Sequence, residues 1–378
     1  MNSLKGRSKP VQARRKPPHR LDRRQLLALP LAGLAMHASA QSRESLGALA
    51  ASRGIAFGAS SSWEIINDAD YAALFRREVR LLVTDKALKF DFIRPREDAW
   101  NFEEADALHD FALRNGMALR AHTLIWNDYP PPWLAKKSYA ERIRVFDQHI
   151  DRVGARYAGK LESWDVVNEP FWPGHGNAGG FRSGPWYEAM GEAYVERAFQ
   201  RLATVDRQSR FILNEAQTER QDETGLRIRH GLLRLIDRLQ DRGVKLDGIG
   251  LQAHIKPQYP FEIEPFLRFI ERIAERKLAI YLSEFDIDDE SLPAEPAHRD
   301  REVARWTEDF LKPVLQNRAV KALICWHLSD RYSWYREPEI VAHRRRNNPA
   351  RPLPFDDGMR EKPMAAAIRA ALLAASPR

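Results

Sequence analysis

The sequence predicts an α/β fold, one (β/α)8 barrel, and three observations carry that prediction. Eight short apolar runs recur along the chain, each followed by a longer amphipathic stretch, and the alternation continues to the C-terminus. Polar residues break those runs at their ends, where a parallel barrel gathers side chains at one mouth. No second module, long Pro/Gly/Ser linker or internal repeat interrupts the pattern.

The first element is set aside from the fold. In residues 1–40, nine basic side chains and one acid, Asp22, precede an apolar stretch from Leu26 to Met36 that ends in Ala38-Ser-Ala40. A basic region, a short hydrophobic region and an A-x-A cleavage site read as an export signal peptide. The apolar part is too short to span a bilayer, so no permanent membrane anchor is expected. Asp22-Arg-Arg-Gln-Leu-Leu27 resembles the twin-arginine motif, which makes the export machinery a partner through the leader and places the mature protein in the periplasm or outside the cell.

The whole chain has 60 Lys plus Arg against 52 Asp plus Glu, and without residues 1–40 it keeps 51 of each. The basic balance belongs to the leader, and no nucleic-acid partner follows from it. Cys325 is the single cysteine, so no intrachain disulfide forms. About 338 residues remain, enough to bury a core without one and in the size range of a single barrel with insertions. Residues 41–53, small and polar, are expected as a linker, residues 54–378 as the barrel, and the protein as a monomer.

The strand candidates follow in order: near Ala56 to Ser60, Arg80 to Thr84, Ala118 to Leu124, Ser163 to Val167, Arg210 to Leu213, Gly248 to Ala253, Ala279 to Ser283, and Ala322 to Trp326. Between them lie helical patterns such as Phe102 to Ala112 and Leu232 to Leu239, with apolar residues at three and four spacing. Eight such units argue for a closed TIM barrel over an open sheet. The polar strand ends are Asp85, His122, Asn168 with Glu169, Asn214 with Glu215, Gln252 with His254, and Glu284, joined by Trp326. Pro170 cannot continue a central strand and so fixes Glu169 at its exit.

Glu169 and Glu284 matter most, because two carboxylates on strand ends of one mouth are the minimal equipment for cleaving a glycosidic bond. One donates a proton to the leaving oxygen while the other, ionised, attacks the anomeric carbon or stabilises its charge. Trp126, Trp326 and Trp334 offer flat apolar faces suited to the C–H faces of sugar rings. Trp100 reads as structural. No H-E-x-x-H, paired cysteines or closely spaced His ligands point to a metal, and no cofactor is expected.

These residues fall in motifs that resemble glycoside hydrolase family 10, the retaining endo-1,4-β-xylanases. Met117-Ala-Leu-Arg-Ala-His-Thr-Leu-Ile-Trp126 is similar to the third-strand segment, Trp164-Asp-Val-Val-Asn-Glu169 to the acid/base motif, and Gly248-Ile-Gly-Leu-Gln-Ala-His254 to the sixth-strand motif. Leu282-Ser-Glu-Phe-Asp-Ile287 resembles the nucleophile motif, and Trp326 with Ser329-Asp-Arg-Tyr-Ser-Trp334 the eighth-strand tryptophans. The resemblance implies a catalytic pair, Glu169 as acid/base and Glu284 as nucleophile. It also implies substrate binding by Lys89, His122, Trp126, Asn168, Gln252, His254, Trp326 and Trp334, with Asp85 and Asp286 in support. Asn168 would bond the sugar's 2-hydroxyl, and His254 with Asp286 would keep Glu284 ionised. The implied partner is a xylan-like polysaccharide or oligosaccharide.

Departures sit on the second strand, where Asp85-Lys-Ala-Leu-Lys-Phe90 replaces the family's Glu-Asn-Glu-Met-Lys-Trp. Lys89 alone is retained, and these positions hold the second sugar on the non-reducing side in that family. Lys86 either pairs with a nearby carboxylate or meets an acidic sugar. Asn127 and His327 stand where a His and a Gly are usual. The alternatives to a xylanase are an exported β-glycanase of other specificity, a non-catalytic saccharide-binding barrel, or a metal-dependent barrel enzyme.

Overall fold

The computed structural model describes residues 44–344 and 348–378. The export-signal reading falls on residues 1–40 and lies outside them.

Among the described residues, eight parallel strands form the barrel: β1 (Ala56–Ser61), β2 (Leu81–Thr84), β3 (Ala118–Ala121), β4 (Ser163–Asn168), β5 (Arg210–Glu215), β6 (Gly248–Leu251), β7 (Ala279–Ile287) and β8 (Val320–Cys325). Each pairs with the next, and β8 pairs with both β7 and β1, so the sheet closes on itself. The eight strand candidates each correspond to one of these strands. Two-residue extended segments, Ile125–Trp126 and His254–Ile255, prolong the hydrogen bonding beside β4 and β7.

Helices alternate with the strands: α1 (Leu46–Ser52) before β1, then α2 (Ala69–Glu78), α3 (Glu103–Arg114), α4 (Tyr139–Tyr157), α5 (Ala193–Val205), α6 (Glu223–Asp241), α7 (Ile263–Glu275), α8 (Pro296–Val314) and α9 (Pro363–Ala374). Their starts are written locally. Ser138 and Glu141 make a reciprocal capping box on α4, Asp222 accepts from Gly225 N–H at α6, and Pro296 occupies the first turn of α8.

Residues 41–53 are not a linker in their described part. Ser45 caps α1, and Leu46, Leu49 and Ala50 bury its inner face at three and four spacing. The folded body therefore begins about ten residues earlier than expected. Helix α1 also lies against α9, with Arg53 Nη1 donating to Ala375 O at 3.5 Å and Arg369 bonding the Glu44 carbonyl.

Strand parity sorts the core. Leu81, Val83, Ile212, Tyr281, Ala322 and Ile324 point into the barrel, with Trp326 above them. Their neighbours Leu82, Phe211, Leu213, Ile280, Leu282 and Leu323 face the helices. Both strand faces are thus dry, which is why the runs are continuously apolar. Three register shifts interrupt the pairing of these strands, one of them between Val320 and Ala322 at the start of β8 and the other two near the mouth. The β4–β5 register shifts between Asp165 and Val167, and the β7–β8 register shifts between Leu323 and Cys325. One falls just before Asn168 and Glu169, the other alongside Ser283 and Glu284. An extra residue at these points re-aims the following side chains toward the barrel mouth.

Candidate active site

The C-terminal mouth holds a cleft of about 530 Å³, lined among others by Glu169, Glu284, His122, Trp126, Trp326 and Trp334. Asp85, Lys89, Asn168, Gln252 and His254 line it too, so the expected site residues come together in one place. Asp286 is fully buried behind His254.

Glu284 is almost fully buried and has three polar neighbours. Asn214 Nδ2 donates to its Oε1 at 2.7 Å, His254 Nε2 lies 3.1 Å from Oε2, and His122 Nδ1 lies 3.9 Å from Oε1. Burial alone would push the carboxyl up. The His254 contact, the charges of His122 and His254 and the Asn214 amide outweigh it and hold Glu284 below its ordinary value. That is the state a nucleophilic carboxylate needs.

His254 in turn has its Nδ1 2.9 Å from Asp286 Oδ2. Burial disfavours the imidazolium, but Asp286 and Glu284 together push His254 up to about 10. Trp334 Nε1 donates to Asp286 at 2.8 Å and Tyr335 Oη at 3.3 Å, fixing the buried acid behind the pair. His254→Asn would remove the cation beside Glu284, so Glu284 would protonate sooner. The acid limb of the pH–rate profile should move to higher pH with the basic limb in place, as initial rates across pH would report. Stability follows the same sign. The His254 contribution is complete below the ordinary histidine value of 6.5 and is lost as pH rises through about 10.

Glu169 sits at the exit of β4 with φ 49°, a left-handed conformation rare outside glycine. Its N–H donates to Asn214 O at 2.8 Å and its carbonyl accepts from Arg182 Nε at 3.0 Å, so both sides of the strained residue are pinned. Its carboxyl accepts from Arg182 Nη2 at 2.7 Å and from Gln252 Nε2 at 2.7 Å. Asn168 Nδ2 adds a contact at 3.4 Å, so these three hydrogen bonds to the Glu169 oxygens all come from donors. Beneath it Glu215 is buried, accepting from Phe171 N–H at 3.1 Å and Ala216 N–H at 2.8 Å. Burial first and the Glu169 charge second push Glu215 well above the ordinary carboxylate range.

An amide chain joins the two carboxylates. Gln252 bonds Glu169, Asn168 Oδ1 accepts from Asn214 Nδ2 at 2.8 Å, and the same Asn214 amide reaches Glu284. Ser283 Oγ donates to Asn214 Oδ1 at 2.6 Å, which fixes which way that amide faces. Gly250 makes room for it, because a Cβ there would overlap the Asn214 amide. Below, His122 Nδ1 is 3.0 Å from Asp165 Oδ2, and Asp165 is neutralised by fully buried Arg120, which also donates to Ser163 Oγ at 2.7 Å.

Sequence reasoning missed Arg182, Asp165, Arg120, Tyr335 and the bridging role of Asn214. Asp165 and Arg120 share inward parity with His122 and Asn214, a signal available once strands are assigned. Arg182 lies in an irregular loop 13 residues beyond Glu169, where no periodicity announces it. The departures also find their reasons. Asn127 Oδ1 accepts from Trp186 N–H at 3.1 Å and Tyr187 N–H at 3.3 Å, so it caps a short helix. Lys86 pairs with a protein carboxylate, Glu337, the first of the two readings left open for it.

Comparison with known proteins agrees with this geometry. A family model, glycosyl hydrolase family 10, matches residues 45–371. Endo-1,4-beta-xylanase B of Thermotoga neapolitana is 30% identical over 283 residues, spanning 74% of this chain and 79% of that protein. The crystal structure of native xylanase 10B from Thermotoga maritima superposes with a TM-score of 0.77 at 29% identity, covering 87% of this chain and 98% of the other. Xylanase 10B from Thermotoga petrophila RKU-1, solved in complex with xylobiose, gives the same TM-score and identity, covering 87% and 97%. With a closed barrel, a carboxylate pair at its C-terminal mouth and a family match over nearly the whole described body, the chain belongs to glycosyl hydrolase family 10 and is a glycoside hydrolase.

Proposed function

We propose that the protein is a retaining endo-1,4-β-xylanase, exported through its leader. The observation that carries this is the asymmetry of the two carboxylates in one tryptophan-lined cleft. Glu284 is held ionised by a buried His–Asp pair, while Glu169 stands outside that pair, with Gln252 and Arg182 donating to its oxygens.

In the first step Glu284 attacks the anomeric carbon and Glu169 gives its proton to the leaving oxygen. Asn168, its Oδ1 committed to Asn214, has its Nδ2 3.4 Å from Glu169 Oε1, beside the reacting groups, where its second N–H is the donor for a sugar hydroxyl. In the second step Glu169, now a carboxylate with Arg182 and Gln252 on its oxygens, takes a proton from water, which releases the sugar from Glu284. Trp126, Trp326 and Trp334 hold the rings from the sides. The xylobiose in the Thermotoga petrophila structure supports a short β-1,4-linked pentose chain as ligand.

The test is product release from unbranched xylan, glucuronoxylan and a soluble β-glucan by the mature protein. Xylo-oligosaccharides are expected from the xylans. Products from the β-glucan alone would move the specificity, and none from any would leave a saccharide-binding barrel.

Export is proposed from Arg23 and Arg24 within the basic leader. Replacing both with Lys should leave unprocessed protein in the cytoplasm, as fractionation and immunoblotting would report. Normal processing of that variant would point to a general secretory leader.

A further inference from the structure

We propose that Lys86 and Glu337 bridge one arm of the cleft and set how readily a sugar chain extends along it; the identity of the ligand rests on the xylanase reading above. Lys86 follows β2, and Glu337 follows β8 and precedes a short helix, Pro338–Val341. In the closed sheet these two strands flank β1, whose exit residues Ser60, Ser61 and Ser62 are buried. Lys86 Nζ donates to Glu337 Oε1 at 2.7 Å, so the pair joins two walls of the cleft that both residues line.

Beneath the bridge, Asp85, Lys89 and His327 are also spent on one another. Asp85 is 3% exposed, with Lys89 Nζ 3.4 Å from one carboxylate oxygen and His327 Nε2 3.3 Å from the other. His327 is locked in place by a left-handed backbone, φ 66°, and by its N–H donating to Ser60 Oγ at 2.8 Å. A sugar entering this arm finds no uncommitted carboxylate on Asp85 and no uncommitted ammonium on Lys86. It must separate Lys86 from Glu337 before it passes.

The bridge is a brake and not a wall. Its side chains are 35% and 41% exposed, and ion pairs in such positions are weak. Longer chains open it at a modest cost in affinity. The same arrangement argues against an acidic branch as the natural occupant of Lys86, since the Glu337 carboxylate already on the ammonium faces any incoming one.

Binding of unbranched xylotriose and xylohexaose is the test, by titration calorimetry on the exported protein carrying Glu284→Ala, which needs no turnover. Adding Lys86→Asn, or separately Glu337→Gln, should raise the hexaose-to-triose affinity ratio about two- to fivefold. A ratio that stays level or falls in either variant would overturn the bridge. So would a loss confined to glucuronic-acid-branched oligosaccharides in Lys86→Asn, which would make Lys86 a carboxylate receptor. Hydrolysis of xylan by the unmutated protein reports separately on the xylanase reading.

Discussion

Glu284→Ala should abolish xylan hydrolysis, with a loss of roughly 10⁴- to 10⁶-fold, because it removes the atom that forms the glycosyl-enzyme bond. The fold should survive. Asp286 still neutralises His254 at 2.9 Å, and the Asn214 amide keeps its bonds to Asn168 and Ser283. A thermal melt of the variant checks that. The diagnostic result comes with azide, which fits the space the carboxylate leaves between Asn214 and His254. It would attack from the face that Glu284 used and give an α-glycosyl azide from a β-linked substrate, identified by its anomeric coupling in NMR. Activity within tenfold of the unmutated protein would remove Glu284 from the nucleophile's role.

The complementary variant, Glu169→Ala, should show a loss that depends on the leaving group. On xylan, where the departing sugar oxygen needs a proton, the loss should be about 10²- to 10⁴-fold. With a dinitrophenyl leaving group that needs none, the first step should proceed and the glycosyl-enzyme should accumulate, visible as added mass on the intact protein. Azide would then enter from the opposite face, where Glu169 stood beside Gln252 and Arg182, and yield a β-glycosyl azide. Opposite anomers from the two variants would assign the two roles without a kinetic model. The same anomer from both would contradict double displacement.

The fold was legible because parallel strands buried on both faces leave continuous apolar runs, and each run ended at a residue too polar for the core. That logic located side chains of the barrel mouth on seven of the eight strands, β1 offering none, without knowing their distances. It failed where periodicity was short or absent. Helix α1 has only seven residues, and its single repeat of Leu46, Leu49 and Ala50 was hidden in a small-residue composition that reads as linker. Arg182 escaped because a loop carries no pattern. The register shifts before Asn168 and beside Glu284 were equally silent, since an added strand residue changes which face a side chain takes without changing composition. Local sequence therefore reports what a strand is made of, while the turn of Glu169 and Glu284 into one cleft is a property of pairing.

The meeting of α1 with α9 has a topological consequence. Gly54 lies against Arg378, with an added Cβ only 3.0 Å from the Arg378 Cβ, and both sit near the start of β1, at the end of the barrel away from the cleft. Since β8 pairs with β1 as any strand pairs with its neighbour, the order of units is cyclic, and no strand is first except by where the chain happens to be cut. A circular permutant in which a peptide links the end of α9 to the start of α1, reopened in an exposed connection on that same face, would keep α1, every strand pair and every cleft contact.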